Sequence, residues 1–132
     1  MNEEERPRPL RVLVVDDDPD IVLILDGVAR AQGLEVTGTA NAAETARVID
    51  LRDRADVAVV DYALPGADGV AVAEQLKSAH PDTFVILVSA TPVGATVLAN
   101  PAIDQFLPKA EVDRLPGLLE TVAVDRGLGI RS

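Results

Sequence analysis

The stretch VLVVDDDPD, from Val12 to Asp20, joins a strongly apolar run to four aspartates in five residues, broken only by Pro19. The apolar part lacks the alternation of a half-exposed strand and reads as a strand buried on both faces. The acidic part poses a problem of charge. Carboxylates at that density raise one another's pKa values unless something positive lies among them. Two of the four have a local explanation. Asp18 stands before Pro19, a residue favoured at the first helical position, so Asp18 is predicted to be a helix N-cap. Asp20 then falls in the first turn, where the helix dipole favours an acid. Asp16 and Asp17 have no such explanation.

Outward from this stretch, five predicted strands alternate with helices. The strands are Leu10–Val15, Leu34–Thr39, Val57–Val60, Phe84–Val88 and Ile103–Leu107. The helices are Pro19–Gln32, Ala42–Arg52, Gly69–Ala79, a shorter one near Pro92–Ala99, and Val112–Asp125. Gly33 is placed to end the first helix, Asn41 to cap the second and Asp68 to cap the third. This alternation implies an α/β fold with a doubly wound parallel sheet and helices on both faces. Val12–Val15, Val57–Val60 and Phe84–Val88 are continuously apolar and belong inside the sheet. LEVTGT and IDQFL mix in polar residues, as edge strands do. The expected order is therefore the flavodoxin-like 2-1-3-4-5, with the ligand site where strands 1 and 3 diverge.

Composition narrows the function. The chain has 132 residues, nearly half of them apolar, which suits one compact domain. Residues 1–9 are expected to form a flexible tail, 10–125 the domain, and 126–132 a C-terminal tail. A net charge of −10 disfavours direct contact with nucleic acid and with anionic membranes, and favours metal cations or basic protein surfaces. There is no cysteine, so thiolate metal sites and cysteine nucleophiles are excluded. No signal-peptide pattern opens the chain, and no apolar run is long enough to span a bilayer. Membrane insertion is not expected, and the cytoplasm is the expected compartment. His80, in the sequence AHPD, is read as a loop residue.

The chemistry gathers at the carboxyl ends of the predicted strands. Asp16 and Asp17 end strand 1, Asp61 ends strand 3, Ser89 ends strand 4 and Lys109 follows strand 5. A hard divalent cation resolves the crowding, because Mg²⁺ takes a few carboxylate oxygens and keeps several waters. Asp16, Asp17 and Asp61 would supply oxygens, joined by the backbone carbonyl of Ala63. An acid straight after VAVV on a central strand is costly to bury unless it is used, which singles out Asp61.

These motifs resemble those of the receiver domain of bacterial two-component response regulators, of the stand-alone, chemotaxis-regulator-like kind. VLVVDDDPDI is similar to that family's acidic-pair strand, VVDYALPGADG to its phosphoacceptor segment, ILVSAT to its switch strand and FLPKA to its lysine segment. The resemblance implies that Asp61 accepts a phosphoryl group from a sensor histidine kinase or a histidine phosphotransfer protein. Asp16 and Asp17 would hold Mg²⁺, Lys109 and Ser89 would contact the phosphoryl oxygens, and Ser89 with Phe106 would form the switch. Such a domain is no enzyme with a free substrate; it catalyses only its own phosphorylation and dephosphorylation. Its output would be contact with a downstream protein, or onward phosphotransfer in a phosphorelay.

Three departures stand out. The family has proline after the lysine, whereas the order here is Pro108–Lys109–Ala110, which disfavours a cis bond. The segment ATPVGATVLANPAID leaves room for only a short fourth helix. Ala63 and Thr91, at positions that by analogy tune loss of the phosphoryl group, carry neither acid nor amide. The alternative to a working receiver is a phosphorylation-independent interaction module. A Mg²⁺-dependent phosphohydrolase fits less well, since that class wants a second acid two residues after the nucleophile and Ala63 stands there.

Overall fold

The computed structural model describes residues 8–16, 18–39, 55–64 and 67–128. Strand β1 (Arg11–Val15) leads into helix α1 (Pro19–Gln32) and strand β2 (Glu35–Thr39). Strand β3 (Val57–Asp61), helix α2 (Gly69–Ala79) and strand β4 (Phe84–Ser89) follow. Helix α3 (Ala95–Leu98), strand β5 (Gln105–Pro108), a 3₁₀ segment (Lys109–Arg114) and helix α4 (Leu115–Asp125) complete the order. The five strands form one parallel sheet in the order β2-β1-β3-β4-β5. This is the expected topology. A two-residue hairpin pairs Ala63 with Asp68 and Leu64 with Ala67, between β3 and α2. The predicted helix Ala42–Arg52 and its cap Asn41 lie outside the described residues.

Strand periodicity sorts the inner residues onto two faces. Val12, Val14, Val57, Val59, Ile86 and Val88 join Ile21 and Leu25 of α1 and Leu115, Leu119, Val122 and Ala123 of α4 in one apolar cluster. Their neighbours Leu13, Val15, Ala58, Val60, Val85 and Leu87 join Val72, Ala73 and Leu76 of α2 in the other. Every residue of Val57–Asp61 is buried, as a central strand covered on both faces requires. Gly33 follows α1 with φ of 72°, the left-handed conformation that ends a helix with least strain at glycine.

Three element boundaries differ from the sequence reading by more than one residue. The fourth helix is one turn, Ala95–Leu98, with no buried residue and no side-chain cap. Pro92, Gly94 and Pro101 bracket it, so neither end can propagate. Strand β5 starts at Gln105 rather than Ile103, because Asn100 closes a turn over that segment. Its side-chain oxygen accepts the Ala102 N–H (2.9 Å) and its carbonyl accepts the Ile103 N–H (3.0 Å). The last α-helix starts at Leu115 rather than Val112, where Pro116 can occupy the first turn without a lost hydrogen bond.

At the amino ends of the strands, Arg8 forks onto the buried Asp56, with Nη1 and Nη2 at 2.7 and 2.8 Å from the two carboxylate oxygens. The Arg11 N–H adds a third bond to Asp56 at 2.9 Å. Burial works to raise the Asp56 pKa, but the Arg8 fork and the Arg11 N–H outweigh it, and the carboxyl sits below its usual range. This polar staple lies at the end of the sheet opposite Asp61.

Candidate functional site

Each side chain at the carboxyl rim is placed by the element that carries it. Asp61 is the last residue of β3 and shares the parity of Val57 and Val59, so it stands on the α1 side of the sheet. Asp16 follows β1 directly, and its Oδ1 accepts the Asp18 N–H at 2.8 Å. Asp18 caps α1 as expected: its Oδ1 accepts the Asp20 N–H at 3.0 Å. Lys109 follows β5 at the edge of the sheet and reaches back across β4 and β3. Its Nζ donates to Asp61 Oδ2 at 3.1 Å and lies 3.5 Å from both Asp16 Oδ1 and Asp18 Oδ2. The other Asp61 oxygen accepts the Ala63 N–H at 3.1 Å.

One ammonium therefore faces three carboxylates among the described residues. Asp16 is only 2% exposed, and burial pushes its carboxyl up to about 6. The Asp18 N–H and Lys109 oppose that rise, while the charge of Asp61 adds to it. Burial alone would lower the Lys109 pKa. The Asp61 hydrogen bond and the charges of Asp16, Asp61 and Asp18 prevail, and the ammonium is held above its usual value.

Asp16 Oδ2 is buried and has no hydrogen-bond partner. A buried carboxylate oxygen without a donor is costly unless a cation neutralises it. A hard divalent ion fits this donor set: carboxylate oxygens, a deficit of positive charge and one oxygen left open. Asp17 lies outside the described residues.

The remaining predicted residues are placed less directly. Ser89 is buried at the end of β4, next to β3, where Asp61 pairs with Val88. Its hydroxyl does not face Asp61; it donates to the Thr91 carbonyl at 2.6 Å and accepts the Thr91 N–H at 3.1 Å. Phe106 packs half-buried against the α2-side cluster, the face to which Ser89 also belongs by parity. The bond between Lys109 and Ala110 is trans, since no cis peptide occurs among the described residues. Two contributors were not legible in the sequence. Asp18 faces Lys109 besides capping α1, and Gly69 abuts the Asp61 main chain. Only the folded rim reveals the first, and only the hairpin geometry reveals the second.

Known proteins share this fold. Residues 12–119 match the response regulator receiver domain family, and the chain belongs to it. Receiver domains are the phosphoaccepting signalling modules of two-component systems, working between histidine kinases and downstream effectors. Among curated proteins, a protein-glutamate methylesterase/protein-glutamine glutaminase of Rhodopseudomonas palustris is 31% identical over 117 residues, covering 85% of this chain and 32% of that protein. The chain spans 24% to 35% of the length of the curated relatives it matches. Among solved structures, a CheY-like receiver domain protein of Methanospirillum hungatei superposes with a TM-score of 0.77 at 24% identity, covering 90% of this chain and 98% of that one. The response regulator TrrA of Thermotoga maritima, solved in complex with Mg²⁺ and BeF, superposes with a TM-score of 0.69 at 25% identity, covering 86% and 98%.

Proposed function

We propose that this chain is a receiver that accepts a phosphoryl group on Asp61 in a Mg²⁺-dependent reaction. The single observation that carries the reading is the buried Asp61 carboxylate, 3.1 Å from the Lys109 ammonium and next to an Asp16 with an unpartnered buried oxygen. The donor is a phosphohistidine of a sensor kinase or phosphotransfer protein. An Asp61 oxygen attacks phosphorus, the bond between phosphorus and the imidazole nitrogen breaks, and that nitrogen keeps the electron pair. The product is an aspartyl phosphate. Asp16, Asp17, Asp61 and the Ala63 carbonyl would hold Mg²⁺, which when bound neutralises charge on the transferring group.

The chain's own residues do the rest. Lys109, already hydrogen-bonded to the acceptor carboxylate, compensates negative charge as it builds on the phosphoryl oxygens. The Ala63 N–H holds one Asp61 oxygen and so orients the other for attack. Ser89 exchanges its two bonds to Thr91 for a phosphoryl oxygen, and Phe106, on the same sheet face, moves with it. Output passes by protein contact or onward phosphotransfer, since a net charge of −10 repels nucleic acid. Residues 10–125 form the working unit. Cytoplasmic action accords with the described residues, in which no helix is long and apolar enough to cross a membrane.

Two observations favour a second reading, a phosphorylation-independent interaction module: the Ser89 hydroxyl is engaged by Thr91, and α3 is a single unburied turn. Phosphoimidazole, a small stand-in for phosphohistidine, separates the two. A working receiver takes its phosphoryl group in Mg²⁺ and retards on phosphate-affinity electrophoresis. An inert module remains unmodified under the same conditions.

A further inference from the structure

We infer that Gly69 is a positioning residue for the acceptor: the absence of a side chain there is what keeps Asp61 and Ala63 in their working geometry. The inference rests on Asp61 being the phosphoacceptor. Beyond β3 the main chain is held tightly. Tyr62 N–H donates to the Val88 carbonyl at 2.8 Å, and Gly69 N–H returns to the Tyr62 carbonyl at 3.1 Å. Asp68 Oδ1 accepts the Val70 N–H at 2.8 Å, so α2 begins directly against the Asp61–Tyr62 peptide. A Cβ on residue 69 would overlap the Asp61 carbonyl oxygen and lie 2.8 Å from both the Asp61 carbonyl carbon and Tyr62 Cα.

All three atoms are backbone, so no side chain can swing aside to relieve the contact. Neither flank can yield. Asp61 ends a central strand paired on both sides, and α2 is anchored in the core by Val72, Ala73 and Leu76. The displacement must fall on the hairpin between them, which contains Ala63. Its N–H is what holds one oxygen of Asp61. A methyl group at residue 69 therefore acts on the acceptor through Ala63 while touching no reacting atom.

The test compares wild type, Gly69→Ala and Leu34→Val, the last a core truncation near the opposite end of the sheet. Nitrogen-15 spectra follow the Ala63 amide and its hydrogen exchange. Mg²⁺ titrations follow the fluorescence of Tyr62, the sole tyrosine in a chain without tryptophan. Mass spectrometry gives the rate of phosphorylation by acetyl phosphate per folded molecule.

Gly69→Ala is expected to lose Ala63 amide protection, bind Mg²⁺ more weakly and phosphorylate on the order of a hundredfold more slowly. Leu34→Val is expected to lose stability alone. Wild-type amide protection and Mg²⁺ affinity in folded Gly69→Ala would overturn the inference. So would losses that Leu34→Val matches at equal stability. Gly27→Ala and Gly117→Ala, helical sites with nothing within 4 Å of an added Cβ, supply a stabilised background for Gly69→Ala. Failure to fold even there would make Gly69 a requirement of the fold, and the positioning role would fall. A wild type that takes no phosphoryl group removes the functional reading instead. The acceptor role falls with it, and the Ala63 amide decides the geometric part alone: exposure in Gly69→Ala supports the hold of residue 69 on Ala63 and Asp61, and protection overturns it.

Discussion

Asp16→Asn is expected to stabilise the metal-free protein while removing its response to Mg²⁺. Burial and the neighbouring Asp61 hold the Asp16 carboxyl at about 6 instead of 3.8, which costs about 3 kcal/mol in the ionised form at neutral pH. Asparagine keeps an oxygen to accept the Asp18 N–H and sheds the charge. The ion pair to Lys109 at 3.5 Å is already contained in that value. One effect opposes the gain: the new amide nitrogen takes the place of the unpartnered Oδ2. A buried donor without a partner costs about 1–3 kcal/mol, so the net gain should be about 1 kcal/mol.

The sign of the pH dependence follows from the raised value. The fold favours the neutral carboxyl, so this group's contribution is fully present below 3.8 and is lost as pH rises through about 6. Urea denaturation of both proteins in EDTA, on either side of that window, reads the difference. The variant's advantage should grow from the acid to the neutral side. Mg²⁺ at a hundred times its dissociation constant should then raise wild-type stability by about 2.7 kcal/mol and leave the variant unchanged. A variant less stable than wild type in EDTA at neutral pH, or an advantage independent of pH, would refute the reasoning.

Lys109→Met leaves Asp16, Asp18 and Asp61 without the ammonium they share. Thermal unfolding in EDTA should show a loss of about 1–3 kcal/mol, partly restored by Mg²⁺, and an unchanged midpoint would contradict this. Asp56→Ala strips three hydrogen bonds from the opposite end of the sheet and should cost about 1–3 kcal/mol in urea without slowing phosphorylation. Because the Asp56 carboxyl is depressed, its contribution is present above 3.8 and disappears as pH falls through its lower folded value, so Asp56→Asn should flatten acid unfolding there. Ala63 and Thr91 offer no acid or amide to orient a hydrolytic water. The phosphoryl group should persist for minutes or longer, Ala63→Asn should shorten its life, and spontaneous loss within seconds would count against the account.

Much of this was legible in residue order because the sheet is buried on both faces. Val12–Val15, Val57–Val60 and Phe84–Val88 could only be inner strands, and that fixed which carboxyl ends meet at the rim. The caps Asp18 and Asp68 were legible because each is an acid standing just before a helical run, Asp18 ahead of Pro19, which starts a helix well. Where the reading slipped, short-range polar bonds decided. Asn100 turned Ile103 and Asp104 out of the strand, and Pro116 set the start of α4. The link from Lys109 to Asp18, the engagement of Ser89 by Thr91 and the approach of Gly69 to Asp61 depend on three-dimensional closeness that no local pattern encodes.

Intact mass after incubation with acetyl phosphate tests the central claim most directly, with wild type and Asp61→Asn each measured with and without Mg²⁺. The account requires one added phosphoryl group on wild type, in Mg²⁺ only, and none on Asp61→Asn. Addition to Asp61→Asn at the wild-type rate would place the acceptor elsewhere, and no addition to folded wild type in Mg²⁺ would contradict the account.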